Sequence, residues 1–189
     1  ISTSYFGVRQ QAPGAIFDSA APGLFPTAEM SALQVLSLLS SSSAAEFVKS
    51  LNPTLNIQVG NIASIPLPDG TEWRSGAETL GTEAVALSRA DWDAFERSWD
   101  FQSCPLLTAS ADSTPTLESS YTDWTTQNRD TIAEMKRLEE ENNRLFIDAY
   151  GLADELTPDV PIEQITLTVN PAYRYGGKMT EDELWTRFR

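Results

Sequence analysis

Apolar and polar positions along this chain change period several times. Over Ser4–Gln10 (SYFGVRQ) aromatic and β-branched residues mix with polar ones, as in a strand. Gln11-Ala-Pro-Gly14 supplies a turn, because Pro presets φ and Gly permits positive φ, and Ala15–Ser19 reads as the returning strand of a hairpin. Thr27 is the N-cap expected for a helix whose broad apolar face carries Met30, Leu33, Val35, Leu36, Leu38 and Leu39. The run Ser40–Ser43 marks a break, Ala44–Leu51 a second short helix, and Asn52-Pro53 its end. Leu55–Val59 (LNIQV) alternates at the strand period, and Ile62–Leu67 is a Pro-punctuated extended piece.

Beyond residue 75 the period lengthens to that of a helix. Gly76–Asp100 carries Leu80, Val85, Leu87, Trp92, Phe95 and Trp99, with Trp92, Phe95 and Trp99 on one face. Ser103–Thr116 is rich in Ser, Thr and Pro and reads as a loop. A long helix is predicted from Leu117 to Tyr150, with Ile132, Met135, Leu138, Leu145, Phe146 and Ala149 sharing a face. Gly151 suits its C′ position, and Pro158 lies shortly beyond. This helix is expected to pair antiparallel with the Trp92/Phe95/Trp99 face, or to meet another chain. Ile165, Leu167 and Val169 alternate with Thr166 and Thr168 as in a half-buried strand, and Thr180 with Glu183 opens a short helix through a capping box. The expectation is an α+β fold: a small mixed α/β module over residues 1–75, then a helical region over 76–189 with a short C-terminal strand and helix.

Composition narrows the chemistry. The 189 residues hold no histidine and one cysteine, Cys104, which removes His-based triads, His-ligated zinc, intrachain disulfides and Cys clusters. Thirteen Lys and Arg face 27 Asp and Glu, a net charge of −14, which argues against one broad phosphate-neutralising face. The acidity is concentrated. Residues 1–70 hold four acids and two bases, residues 71–160 hold 19 and seven, and residues 161–189 hold four of each. A solvated surface is the simple reading of that middle, and an arm meeting a basic partner the other. No apolar run reaches the ~18 residues of a membrane span, the start is not a signal peptide, and the expectation is a cytoplasmic protein. The chain begins at Ile1 rather than Met, as a piece of something longer would.

Few side chains suggest chemistry. Glu139–Glu141 and the Asp154/Glu155 pair point in different directions on a helix, so a solvated face is expected and no metal site. The Ser40–Ser43 run has no accompanying base. Trp92, Phe95 and Trp99 are expected in a core and not as a base-stacking platform. Asn170-Pro-Ala-Tyr173, after a predicted strand, is similar to the Asn-Pro-Pro-Tyr loop of amino-group DNA methyltransferases, where Asn and a Pro carbonyl accept from the target adenine. Its third residue is Ala, and no Gly-rich loop follows an earlier strand, so it reads as a strand–turn without catalytic role.

Two longer blocks carry a resemblance. Residues 1–70 (ISTSYFGVRQQAPGAIFD … LFP … FVKSLNPTLNIQVGNIASIPLP) and the later WDFQSCPLL with EEENNRLFIDAYGLADELTPDVPIEQITLTVNPAYRYG resemble, in the same order, the adenine-specific DNA methyltransferases of BREX phage defence, the PglX family. Asn56–Pro66 (NIQVGNIASIP) also resembles the close of target-recognition domains in type I specificity subunits and TaqI-like methyltransferases. The resemblance implies a target-recognition module followed by a helical spacer, with S-adenosylmethionine and the catalytic loop in an upstream domain and no cofactor in this piece. It implies contact with double-stranded DNA through the parent protein. Arg9, Lys49 and Arg74 suit phosphates or guanine edges, and Asn56 and Gln58 suit bases or backbone. The alternative is a docking module for other proteins of a defence complex, with no DNA contact.

Overall fold

The computed structural model describes residues 6–11, 13–17, 23–52, 57–110, 114–176 and 179–188. Every assigned element among them is helical: α1 (Ala32–Leu39), α2 (Ser42–Leu51), α3 (Val59–Ala63), α4 (Trp73–Asp93), α5 (Leu117–Tyr150), α6 (Pro171–Tyr175) and α7 (Glu181–Phe188), with 3₁₀ turns at Pro105–Leu107 and Ile162–Gln164. The expected α+β class is therefore corrected: no strand occurs among the described residues. Residues 6–11 and 15–17 form no ladder, and the rest of the predicted hairpin lies outside the described residues. At Leu55–Val59 only residues 57–59 are described, and Val59 opens α3.

Two compact units form, Ile1–Glu83 with Glu139–Asp159, and Ala84–Leu138 with Val160–Arg189. In the first, α1 begins at Ser31 and not at Thr27. Ser31 Oγ accepts from the Gln34 N–H and Gln34 Oε1 from the Ser31 N–H, both at 3.1 Å, so two otherwise orphaned donors are satisfied reciprocally. The serine run breaks the chain as expected. Ser40 ends α1, and Ser41 caps α2 by accepting from the Ala44 N–H. The core joins Leu38, Trp73, Ala77 and Phe146, with Met30, Leu145, Ala149 and Tyr150 packed around it. Trp73 and Phe146 rings lie 5.6 Å apart, and Phe47 meets Tyr150 edge-on at 5.0 Å.

Polar bonds lace this unit. Ser37 Oγ donates to the Ala77 carbonyl at 2.7 Å, and the Asn142 amide donates to the Ser37 carbonyl at 2.9 Å. A Cβ at Gly81 would lie 2.7 Å from Ser37 Oγ and 3.1 Å from the Leu33 carbonyl, so only glycine permits this approach of α4 to α1. Asn143 accepts from the Ser42 N–H and donates to the Pro158 carbonyl. At the end of α5, Gly151 takes φ 68°, and the Leu152 N–H bonds back to the Ile147 carbonyl at 2.9 Å, as the sequence leads one to expect.

The second unit has a different interior. Ile132, Met135, Val160, Ile165, Leu167, Val169 and Trp185 are buried together, with Ala84, Leu87, Phe95 and Trp124 against them. The alternation at Ile165–Val169 is real, since Ile165, Leu167 and Val169 are buried and Thr166 is exposed. It is not a strand, because no neighbouring strand takes its hydrogen bonds. The Thr168 and Val169 N–H groups donate instead to the two carboxylate oxygens of Asp91 at 2.7 and 3.0 Å. The predicted aromatic face is also corrected: α4 ends at Asp93, where the Phe95 N–H turns back to the Trp92 carbonyl. Helical spacing then fails. Phe95 joins the core while Trp99 is fully exposed and Trp92 half-exposed beneath the Arg97 guanidinium, 4.3 Å from its ring. Leu145 and Phe146 meet Trp73 and Ala77 in the first unit and not that face.

Candidate functional site

Asn170 is the residue whose surroundings speak most directly to chemistry. It is wholly buried. Its amide donates to the carbonyls of Ile162 and Ile165, both at 2.8 Å, and its Oδ1 accepts from the Ala172 N–H at 3.0 Å, which caps α6. Pro171 stands at the first helical position, where its missing N–H is harmless. Both amide hydrogens and the oxygen bond to backbone, and the side chain is wholly buried, so it is not presented to a base. The similarity to a methyltransferase loop has a structural cause: Asn-Pro is a good helix opening.

Four of the five residues suited to DNA contact are described, and each of the four stands on a different stretch of the first unit. Arg9 is exposed in the irregular segment 6–11. Lys49 lies in the last turn of α2, exposed, and pairs with Glu46 at 3.2 Å. Gln58 is exposed and precedes α3, its N–H donating to Asn61 Oδ1 at 2.9 Å. Arg74 sits in the first turn of α4, where it donates to the Glu29 carbonyl at 3.0 Å, while its buried Nε has no partner. Asn56 lies outside the described residues.

Electrostatics single out Glu139. This carboxyl is partly buried on α5, and desolvation raises it to about 7, against the opposing pull of the Arg9 charge. The three consecutive acids are thus not one solvated face: Glu139 turns inward and Glu141 outward. Among the described residues no group of three or more Cys, Asp or Glu side chains gathers as a metal ion would require, and no helix is long and apolar enough to cross a membrane. Sequence reading missed Asp91, one acid among many in the acidic middle. Only its position opposite residues 168–169 reveals its part.

No family model matches the chain. It is 34% identical over 161 residues, 84% of its length, to the adenine-specific methyltransferase PglX of Lacticaseibacillus casei (strain Zhang). Over its full length it is 27% identical to the adenine-specific methyltransferase BrxX of Escherichia coli O9:H4 (strain HS). The chain spans 13% of the first relative and 15% of the second.

Proposed function

The chain is homologous to a short stretch of the adenine-specific methyltransferases PglX and BrxX, and on that premise we propose that it contributes DNA target recognition, and not catalysis, to a site-specific adenine-N6 methyltransferase of phage defence. The homology over 84% of the chain carries this reading. S-adenosylmethionine and the catalytic loop belong to the remainder of the parent protein. Arg9 and Gln58, both exposed, are the base or phosphate contacts. Lys49 serves a phosphate. Its exposed pair with Glu46 is weakly held and easily exchanged for a phosphate oxygen. Arg74 acts differently, tying residue 29 to α4 through its bond to the Glu29 carbonyl.

With a net charge of −14, the chain alone binds DNA poorly, in the non-specific range of roughly 10⁻⁴ M or weaker. Base reading emerges when the rest of the enzyme clamps the duplex. The test is sequencing of methylated genomic DNA from cells carrying a full-length enzyme with Arg9→Ala, Gln58→Ala or Lys49→Ala. Arg9→Ala or Gln58→Ala shifts or relaxes the methylated motif, each base contact being worth about 1–3 kcal/mol. Lys49→Ala lowers occupancy evenly across sites. Unchanged motif and occupancy in all three removes these residues from recognition.

A second reading, docking onto other proteins of a defence complex, draws on the fully exposed Trp99, since tryptophan is enriched at protein interfaces relative to the rest of the surface. Trp99→Ser that leaves methylation intact but frees the enzyme from its co-purifying partners would favour it.

A further inference from the structure

The first unit carries a bare apolar cluster near the start of the chain. Ile16 is 98% exposed, Phe25 74%, Phe17 54% and Leu24 47%. These are not four isolated side chains. The rings of Phe17 and Phe25 lie 5.5 Å apart, tilted by 55°, within the range of attractive aromatic pairs. Both close over Gly23, where a Cβ would stand 3.1 Å from each ring. A side chain at 23 would therefore push the pair apart. No acid or base occurs in the described stretches 13–17 and 23–28, in a chain whose net charge is −14. The core of the unit, built on Leu38, Trp73, Ala77 and Phe146, makes no use of the cluster.

Three occupants differ in what they demand of such a surface. A DNA duplex demands cations against its phosphates, and the cluster offers none. A second copy of the chain demands area. Side chains at these exposures present on the order of 500 Å² together, taking about 150–250 Å² for a whole aromatic and somewhat less for an aliphatic one. A stable interface between separate molecules takes roughly 800 Å² from each partner. A patch below that size suffices where the partner is tethered, because a covalent connection holds it at an effective concentration of the order of millimolar. The relatives carry such a partner. The chain spans 13% of one and 15% of the other, so more than four-fifths of each of those polypeptides lies outside the matched stretch.

We propose that Ile16, Phe17, Leu24 and Phe25 dock the chain onto the remainder of the parent methyltransferase, in an apolar, uncharged depression of that same polypeptide. Aromatic side chains and the absence of charge are the composition of an interface centre, and the Phe17–Phe25 pair is its anchor. The docking rests on the reading of the chain as one stretch of a longer enzyme, and not on which of its residues meet DNA.

The test compares amide hydrogen exchange at residues 15–17 and 23–25 in the 189-residue chain and in the full-length enzyme, both without DNA. Exchange there is expected to slow about tenfold or more in the enzyme. Phe25→Ser should leave the melting temperature of the chain alone within about 2 °C, as an exposed substitution does. In the enzyme the same change should return exchange at residues 15–17 to the rate of the chain alone and lower methylation evenly across sites, while Phe25→Leu, still apolar, keeps the protection. The proposal fails if exchange is equal in chain and enzyme, or if Phe25→Ser leaves the protection in place. It fails also if Phe25→Ser shifts the methylated motif, which would put the cluster on DNA, or if the chain alone sediments as a dimer that Phe25→Ser dissociates, which would make the occupant a second copy. Protection in the enzyme, with motif and occupancy unchanged in Arg9→Ala, Gln58→Ala and Lys49→Ala, would uphold the docking and remove the DNA reading alone.

Discussion

The two units solve one problem, the satisfaction of buried backbone, by different means. In the first, α1, α2 and the start of α4 satisfy most of their main chain internally, and side chains fasten helices to one another, Ser37 to Ala77 and Asn142 to Ser37, or to adjoining loops, Asn143 to Pro158. In the second, the chain from Ile165 to Asn170 makes tight turns in place of helix or strand, the Leu167 and Asn170 N–H groups bonding to the Ile165 and Leu167 carbonyls, and two side chains take up further backbone groups. Asp91 receives the N–H groups of residues 168 and 169, while Asn170 receives one N–H and supplies the carbonyls of Ile162 and Ile165. Polar side chains are thus accessories to packing in one unit and replacements for secondary structure in the other.

The comparison can be broken at its strongest points first. Phe146→Ala empties the centre of the first core and should cost about 3–5 kcal/mol by denaturant titration. A cost under 1 kcal/mol would mean that the first unit does not depend on that core. Asn170→Ala should come next at about 2–4 kcal/mol, since it removes three hydrogen bonds in a buried site: one to each of the Ile162 and Ile165 carbonyls, which keep a backbone N–H, and the one that satisfies the Ala172 N–H. The matched substitution in the first unit, Asn142→Ala, strands only the Ser37 carbonyl and should cost about 1–2 kcal/mol. Equal costs for the two asparagines would erase the distinction. Asp91→Asn keeps one acceptor oxygen and should lose about 1–3 kcal/mol, with amide exchange at Thr168 and Val169 accelerating before the rest of the second unit.

Smaller effects sharpen the contrast. Burial raises Glu139 to about 7 from its ordinary 4.5, so the folded chain holds a proton that the unfolded chain has released. Stability then falls as pH rises from 4.5 to 7 and levels off above, by about 1–3 kcal/mol in all. Glu139→Gln should flatten that slope, and Arg9→Ala, by removing the cation that favours the carboxylate, should steepen it. A melting curve across pH 4–8 checks both. Least affected is Lys49→Ala, whose exposed pair with Glu46 should change stability by about 0.5 kcal/mol or less by denaturant titration.

Much of this was legible because it is local. Leu117–Tyr150 emerges with its observed ends, since a long amphipathic period followed by Gly151 admits one reading. The serine break and the Thr180–Glu183 box are equally local, the latter seen as Thr180 donating to and receiving around Glu183. The start of α1 lies at Ser31 and not at Thr27, because Ser31 and Gln34, at capping-box spacing, bond reciprocally where Thr27 has no such partner three residues on. Residues 165–169 could not be read correctly. Alternating burial is common to a strand and to any extended segment against a core, and the discriminating partner, Asp91, lies 77 residues from Thr168. Trp92, Phe95 and Trp99 were misread because helical spacing was extended through the turn after Asp93. Of the residues suited to DNA contact, the chemistry was accessible to sequence reasoning, but the bond that ties Arg74 to residue 29 was not.

Should the buried turn at Ile165–Val169 open, its freed N–H groups beside Ile, Leu and Val would form a template on which a second chain can add. Here the two N–H groups at 168 and 169 are already consumed by a carboxylate from the same molecule. An incoming strand would have to displace a charge-assisted bond and leave a charged oxygen pair behind. Asp91 therefore guards against edge-to-edge association as well as holding the segment in place, and its loss would be felt as aggregation of molecules that are otherwise still folded.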